Sequence, residues 1–298
     1  MNLFSERNSL KHKVACLLVL LILSAIVYFN SLKGAFQFDD RNLLNKEWLA
    51  DLNSFKKGVS LKSIPERPIL LWTLAANNHL DNKNTFGFHL VNLNIHILVT
   101  ILIFTILIRI KNLISKNDSY INNKQNNVLI FPFVTSLIFA LHPLNTDSVA
   151  YISSRSSLLA TFFFLLTLYC FSETLLFSRT IKYRTIIGLL IIPGIYLAVA
   201  SKLIAITLPL IIIFLFLVFY VPKWFPNYAE YFTLSKILWF FICMGIILIF
   251  LEFWFEVLYL PRDQGYELYG KIPYLLVQFK VIIFYYLVKF IFPFNLNV

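Results

Sequence analysis

Charge is what this sequence has least of. Only 14% of its 298 residues are Asp, Glu, Lys or Arg, against about 25% in soluble domains, so a fully solvated surface is excluded. Cysteine is also sparse. Cys16, Cys170 and Cys243 each fall in a different apolar run, which leaves none with an evident disulfide or metal partner and the redox compartment unread. Paired helices broken by Gly or Pro and repeated in two halves, the mark of many transporters, are missing as well.

What is present is apolar: 59% of residues are hydrophobic and 17% aromatic. That composition predicts an all-α polytopic membrane protein. The net charge of +11 would point to nucleic acid in a soluble domain, but these basic residues sit beside apolar runs, where they set topology. Nucleic acid is not expected as a partner. The run Val14–Phe29 follows Arg7, Lys11 and Lys13 and reads as an uncleaved signal anchor that leaves the amino terminus in the cytoplasm. Further spans are expected at Phe86–Ile110, Val128–Leu144, Leu158–Phe177, Thr185–Ala200, Leu203–Val221, Ile237–Phe255 and Tyr274–Phe292, about eight in all. Residues 30–85, with Pro65, Pro68 and an apolar piece too short to cross, are expected to form a first outer loop carrying short helices at the membrane surface.

Alternation of these spans has a consequence. The acidic pair Asp39 and Asp40, the polar island at 145–157 with Asp147 and Arg155, the neighbouring His142 and the turn Ser201-Lys202 all fall on one face, taken as the outer one. Helix-end residues of this kind often only cap, turn or snorkel. As a set they point to a site, because an ionisable group inside a bilayer costs about 2.5–3.5 kcal/mol on insertion scales. His89, Asn92 and His96 stand at i, i+3 and i+7 and share one helix face. This is a polar packing face or part of the site, and two histidines seven apart are not a metal signature. Glu252 and Glu256 share a face near the outer end of the seventh span, with no catalytic role expected of either.

Several blocks in order resemble the transmembrane and tetratricopeptide-repeat O-mannosyltransferase family. They are Phe38-Asp39-Asp40-Arg41 with Asn45, Arg67-Pro68-Ile69 with Trp72-Thr73, and His89-Leu90-Val91-Asn92 with His96. The likeness continues through Phe139-Ala140-Leu141-His142-Pro143, Thr146-Asp147-Ser148-Val149-Ala150-Tyr151-Ile152, Arg155, Ser201-Lys202, Gln278, Tyr285 and Pro293-Phe294-Asn295-Leu296-Asn297-Val298. The resemblance implies a multispan glycosyltransferase of the GT-C architecture that takes a sugar from a polyprenyl-phosphate carrier and works on the outer or lumenal face. It implies a lipid carrier and a protein or glycan acceptor as partners, with no cofactor certain, no metal ligands assigned and a divalent ion left undetermined.

Such a transfer needs a carboxylate to take the hydroxyl proton and cations to hold the departing phosphate. Asp39 or Asp40 suits the first role, although one of the two could instead cap the helix that follows. Arg155 is the expected phosphate ligand because its fork binds oxyanions bidentately, and Lys202 is a second. Arg41, Arg67, His89, Asn92, His96, His142, Asp147, Gln278 and Lys280 complete the candidate set for substrate binding.

The chain departs from the family pattern at three places. Ser157 stands where relatives commonly carry a carboxylate, Leu203 follows Ser201-Lys202 where they carry Glu, and Asn145 replaces a frequent histidine. No repeat of about 34 residues is visible. The expectation is therefore one GT-C-like transmembrane domain over 1–298, incomplete at its carboxyl end, with a missing repeat domain or partner. The membrane is a bacterial inner membrane or an endoplasmic reticulum, which hydropathy does not separate. A degenerate, non-catalytic scaffold and a lipid-carrier transporter stay open as other classes.

Overall fold

The computed structural model describes residues 2–50, 52–60, 67–81, 83–117, 129–175, 180–219 and 271–293. Among them there are helices and no strands. The expected seventh span, with Cys243, Glu252 and Glu256, lies outside the described residues, as does the carboxyl-terminal block from Phe294 to Val298. The helices fall into two compact units, Met1–Pro209 and Leu210–Val298.

In the first unit α1 (Asn2–Tyr28) runs into a 3-10 turn, Phe29–Lys33. Short helices α2 (Asp39–Leu44), α3 (Leu52–Ser60) and α4 (Pro68–Asp81) precede the 33-residue α5, Thr85–Asn117. Then come α6 (Ile130–Leu141), α7 (Asn145–Ala150), α8 (Arg155–Leu175), α9 (Ile181–Leu189), α10 (Ile191–Ser201) and the start of α11 (Leu208–Phe219). The second unit carries the rest of α11, then α12 (Lys271–Val281), a π-helical turn Ile282–Tyr286 and α13 (Leu287–Ile291).

Four helical stretches are long and apolar enough to cross a bilayer: Leu10–Lys33, Thr85–Lys111, Ile152–Thr174 and Ile181–Ser201. The described part is thus an all-α membrane protein, and these stretches match the first, second, fourth and fifth expected spans. The third differs: Ile130–Leu141 has 12 residues, about 18 Å at 1.5 Å per residue, short of a hydrocarbon core of about 30 Å. The sixth expected run is helical as far as it is described, Leu203–Thr207 as a 3-10 turn and Leu208–Phe219 as α11, and its last two residues lie outside the described residues.

The first long helix buries a narrow stripe. On α1 the buried positions Leu20, Ser24 and Tyr28 repeat every four residues, while Leu18, Ile22 and Ile26 are exposed. Leu20 packs with Phe104 and Ile108 near the end of α5, and Tyr28 with Leu93 near its start. The two helices are therefore antiparallel. By the same logic Lys202 at the end of α10 meets Ser157 at the start of α8, and Gly194 abuts Thr167 further along. Those two are antiparallel as well. A Cβ on Gly194 would collide with the Thr167 hydroxyl, so glycine is what allows this approach.

α5 and α8 run parallel, because Arg155 reaches Phe88 and Asn92 at one end and Glu173 pairs with Arg109 at the other, 2.9 Å apart. The alternation read from the charge pattern thus holds through these helices. At the Arg109 end the ion pair is joined by Arg184, whose Nε donates to the Thr174 carbonyl at 2.8 Å. Among the described residues, Asp40, Asn77, His89, Asn92, Asp147, Arg155 and Lys202 lie at the opposite end.

That end is covered by the segment 30–85. Its short helices share a core: Leu44, Leu49, Phe55, Leu70, Leu71, Leu74 and Ala75 pack with Phe88 of α5 and Ile152. α4 starts on Pro68, whose missing N–H costs nothing at the first helical position. Its buried residues Leu70, Leu71, Leu74, Ala75, Asn77 and Asn78 form one stripe, apolar first and polar after. Asn78 fastens the cap by donating to the carbonyls of Leu49 and Ala50, 2.9 and 3.0 Å.

Candidate functional site

Ionic and polar groups from separate segments converge on five consecutive residues, Ser153-Ser154-Arg155-Ser156-Ser157, at the start of α8. Ser153 donates both its backbone N–H (2.9 Å) and its hydroxyl (2.5 Å) to Oδ1 of Asp40. Ser154 donates to Asp147 at 3.3 Å. Ser157 accepts from the Lys202 ammonium at 2.8 Å. A serine hydroxyl is short and half-buried here, so each partner must come to the backbone of α8. The result is a fixed platform.

Arg155 is the anchor of that platform. It is fully buried and gives Nε–H to Asn92 Oδ1 (2.7 Å), Nη1 to the Thr73 carbonyl (3.2 Å), and Nη2 to Asn77 Oδ1 (3.0 Å) and the Phe88 carbonyl (2.9 Å). Its guanidinium carbon also lies 5.6 Å from the centre of the Phe88 ring, a cation–π distance. Four of the five guanidinium N–H groups are thereby used inside the protein. The fork expected on a phosphate instead ties α4, α5 and α8 together.

Asn92, expected on a polar face, completes this brace: its amide donates to the carbonyls of Val149 and Tyr151, both at 3.3 Å, while its oxygen serves Arg155. His89 and His96 are buried beside it. His89 Nε2 is 3.2 Å from the Gly34 carbonyl, and a Cβ on Gly34 would come within 2.9 Å of that ring. His96 Nε2 is 3.1 Å from the Ala140 carbonyl, and its ring meets Tyr28 edge-on and stacks on Phe139. The three residues do share one face, and that face packs helices.

The acidic pair is split by the fold. Asp40 is 1% exposed; besides Ser153 it receives the Gln37 backbone N–H at 3.2 Å. Asp39, one residue earlier, is exposed in the first turn of α2. Phe38 before it has φ 44 and ψ −118, a left-handed conformation for a side-chain-bearing residue that costs on the order of 1–3 kcal/mol and persists only when its surroundings over-determine it. The edge contact of Phe38 on Tyr151, ring centres 5.8 Å apart, and the Asp40 clamp supply that constraint.

Lys202 stands outside the spans, with Arg67 and Asp147 within electrostatic reach. Partial burial and the neighbouring Arg67 charge lower its ammonium pKa from 10.5, while Asp147 pulls it back up. Arg67 and Asp147 are both exposed. Arg41 is exposed in α2. His142 turns the chain after α6, its Nδ1 accepting from the Leu144 N–H at 3.2 Å. Gln278 is half-buried and Lys280 exposed on α12, in the second unit. Among the described residues no three His, Cys, Asp or Glu side chains are grouped to hold a metal ion.

Ser153 and Asn77 are ordinary in composition, and Thr73 and Phe88 serve through their backbone carbonyls; the hint in the sequence is the density of hydroxyls, four serines around one arginine, inside a membrane protein.

A Caenorhabditis elegans protein O-mannosyl-transferase is 30% identical over 164 residues, 51% of this chain and 22% of that protein. The chain is similar to protein O-mannosyl-transferases. Human protein O-mannosyl-transferase TMTC1 matches at 30% over 165 residues, 51% of the chain and 17% of its own length. Drosophila melanogaster protein O-mannosyl-transferase Tmtc3 matches at 31% over 182 residues, 54% and 19%. The chain thus spans about a fifth of the length of these O-mannosyl-transferases. No family model and no solved structure matches it.

Proposed function

We propose that this chain is a membrane glycosyltransferase that moves a mannose-like sugar from a polyprenyl phosphate to a hydroxyl of a protein or glycan acceptor. One observation carries the reading: an exposed carboxylate, Asp39, is held by its clamped neighbour Asp40 on the platform to which Lys202 is bonded, with Arg67 in reach of that lysine. Support also comes from the names of the similar proteins, O-mannosyl-transferases.

The acceptor hydroxyl gives its proton to Asp39 as its oxygen bonds to the anomeric carbon, and the bond from that carbon to the carrier phosphate breaks. Asp39 rather than Asp40 is the base because its oxygens face solvent, whereas those of Asp40 are occupied by Ser153 and Gln37. The departing phosphate takes its countercharge from Lys202 and Arg67, near the amino-terminal end of α8, where helix dipole and charge act with the same sign. Arg155 has no such part, its N–H groups being engaged within the bundle. His89 and Asn92 act on the site by fixing the Gly34 turn and the end of α7 with Tyr151 that follows it. With the amino terminus cytoplasmic, this end faces the lumen of an endoplasmic reticulum or the outside of a bacterial inner membrane.

The test is transfer from labelled mannosyl polyprenyl phosphate to Ser/Thr peptides by the full chain in liposomes. Asp39→Asn should lower kcat by about 100-fold or more, the usual span of general-base catalysis, without lowering thermal stability. Wild-type turnover in that variant would remove Asp39 from the mechanism.

A further inference from the structure

Asp39 projects from a turn that the chain would not hold unaided. The residue before it, Phe38, has φ 44; α2 has only 6 residues; and Asp39 itself is exposed. Two side chains cross from this turn to the bundle: Phe38 meets Tyr151 edge-on, and Asp40 has its Oδ1 gripped twice by one residue, Ser153, 113 positions away. Oδ2 closes the same turn internally through the Gln37 N–H. The grip is rigid on the other side too. Ser153 precedes Arg155, whose four donor contacts fix the start of α8 to α4 and α5, and the Ser153 carbonyl receives the Ser156 hydroxyl at 3.3 Å.

We infer that Ser153 is a positioning residue: its paired hydrogen bonds to Asp40 hold the strained turn and thereby aim the Asp39 carboxylate at the acceptor. This rests on the transferase reading above and adds to it a residue outside the acidic motif. Ser153 touches no substrate. It acts by keeping the base within hydrogen-bond reach of the hydroxyl, where an error of about 1 Å costs on the order of 100-fold.

The decisive variants are Ser153→Ala and Ser153→Thr in the full chain, in liposomes or nanodiscs, with mannosyl polyprenyl phosphate and a Ser/Thr peptide. Ser153→Ala keeps the backbone N–H and loses the hydroxyl, so kcat should fall about tenfold with KM for both substrates unchanged. Ser153→Thr, which restores a hydroxyl, should recover most of the rate. In parallel, backbone hydrogen exchange at 37–41 and at 153 should quicken in Ser153→Ala while that of α5 stays as in the wild type. Wild-type kcat in Ser153→Ala, a loss shared equally by Ser153→Thr, or faster exchange spread over the whole unit would each overturn the inference. If the folded wild type transfers no sugar, the transferase reading falls. Exchange then decides the clamp alone: quickening confined to 37–41 and 153 upholds it, and unchanged exchange refutes it.

Discussion

The two ends of the α5–α8 pair solve the same problem in opposite ways. At the Arg109 end a single buried carboxylate, Glu173, 0% exposed, meets an arginine that is 31% exposed, at 2.9 Å. At the Arg155 end a fully buried arginine is surrounded by neutral acceptors, two asparagines and two carbonyls, and its acidic neighbour Asp40 is bound by Ser153 and the Gln37 backbone N–H rather than by the guanidinium. The first arrangement fastens two helices. The second fixes several segments in register, because neutral hydrogen bonds are directional and each needs its own partner in place. The second kind holds Asp40 at Ser153 and Lys202 at Ser157 of one segment.

Removing the anchor should have the largest effect. Arg155→Met leaves Asn77, Asn92 and two buried carbonyls without their donor, a loss on the order of 3–5 kcal/mol by analogy with broken buried charge networks; a fall in melting temperature in detergent or nanodiscs measures it. Equal stability of Arg155→Met and wild type would erase the distinction between the ends. At the other end the effect should be smaller and asymmetric. Arg109→Met deprives a buried carboxylate of its cation and should cost about 1–3 kcal/mol, whereas Glu173→Gln leaves a part-exposed arginine that can turn to the interface and should cost less than about 1 kcal/mol. The same thermal assay separates them, and the reverse order would show that Arg109 is the buried partner in function.

The smallest effect concerns Lys202. Its native pKa is lowered, so the unfolded chain binds the proton more tightly and the charged lysine detracts from stability at every pH below its native pKa. As pH rises from that native value to 10.5, its unfolded one, the protein sheds the proton first and stability increases. Lys202→Gln should flatten this rise in a melting-temperature series above neutral pH while raising KM for the polyprenyl-phosphate donor. A slope kept in the variant would assign the rise to another group.

Much of the bundle was legible in advance. Apolar runs of about 20 residues have one stable answer in a bilayer, so the helices at Thr85–Lys111 and Ile152–Thr174 needed no partner to be foreseen. Basic residues after alternate runs correctly paired the ends of α1, α5, α8 and α10. Ile130–Leu141 ended sooner than its hydropathy implied because His142 and Asn145 close the turn on Phe139 and Leu144, local hydrogen bonds that an apolar count ignores. In the segment 30–85 two prolines and an apolar piece too short to cross point to short helices outside the spans. Their common core with Phe88 and Ile152 exists only once α5 and α8 are brought to one end.

By itself, then, the amino-acid sequence determined the class of protein, the course of its membrane helices and the stretch of chain carrying the acidic pair, since each follows from transfer energies and local spacing. Tertiary structure decided what the polar residues do. An arginine at the start of a span serves a phosphate or four internal acceptors equally well on paper; three-dimensional packing places Asn77, Asn92, Thr73 and Phe88 around Arg155 and leaves Lys202 beside Arg67. Adjacent aspartates are chemically equivalent in a string of letters. They differ here because helical geometry turns Asp40 inward onto Ser153 and leaves Asp39 facing out.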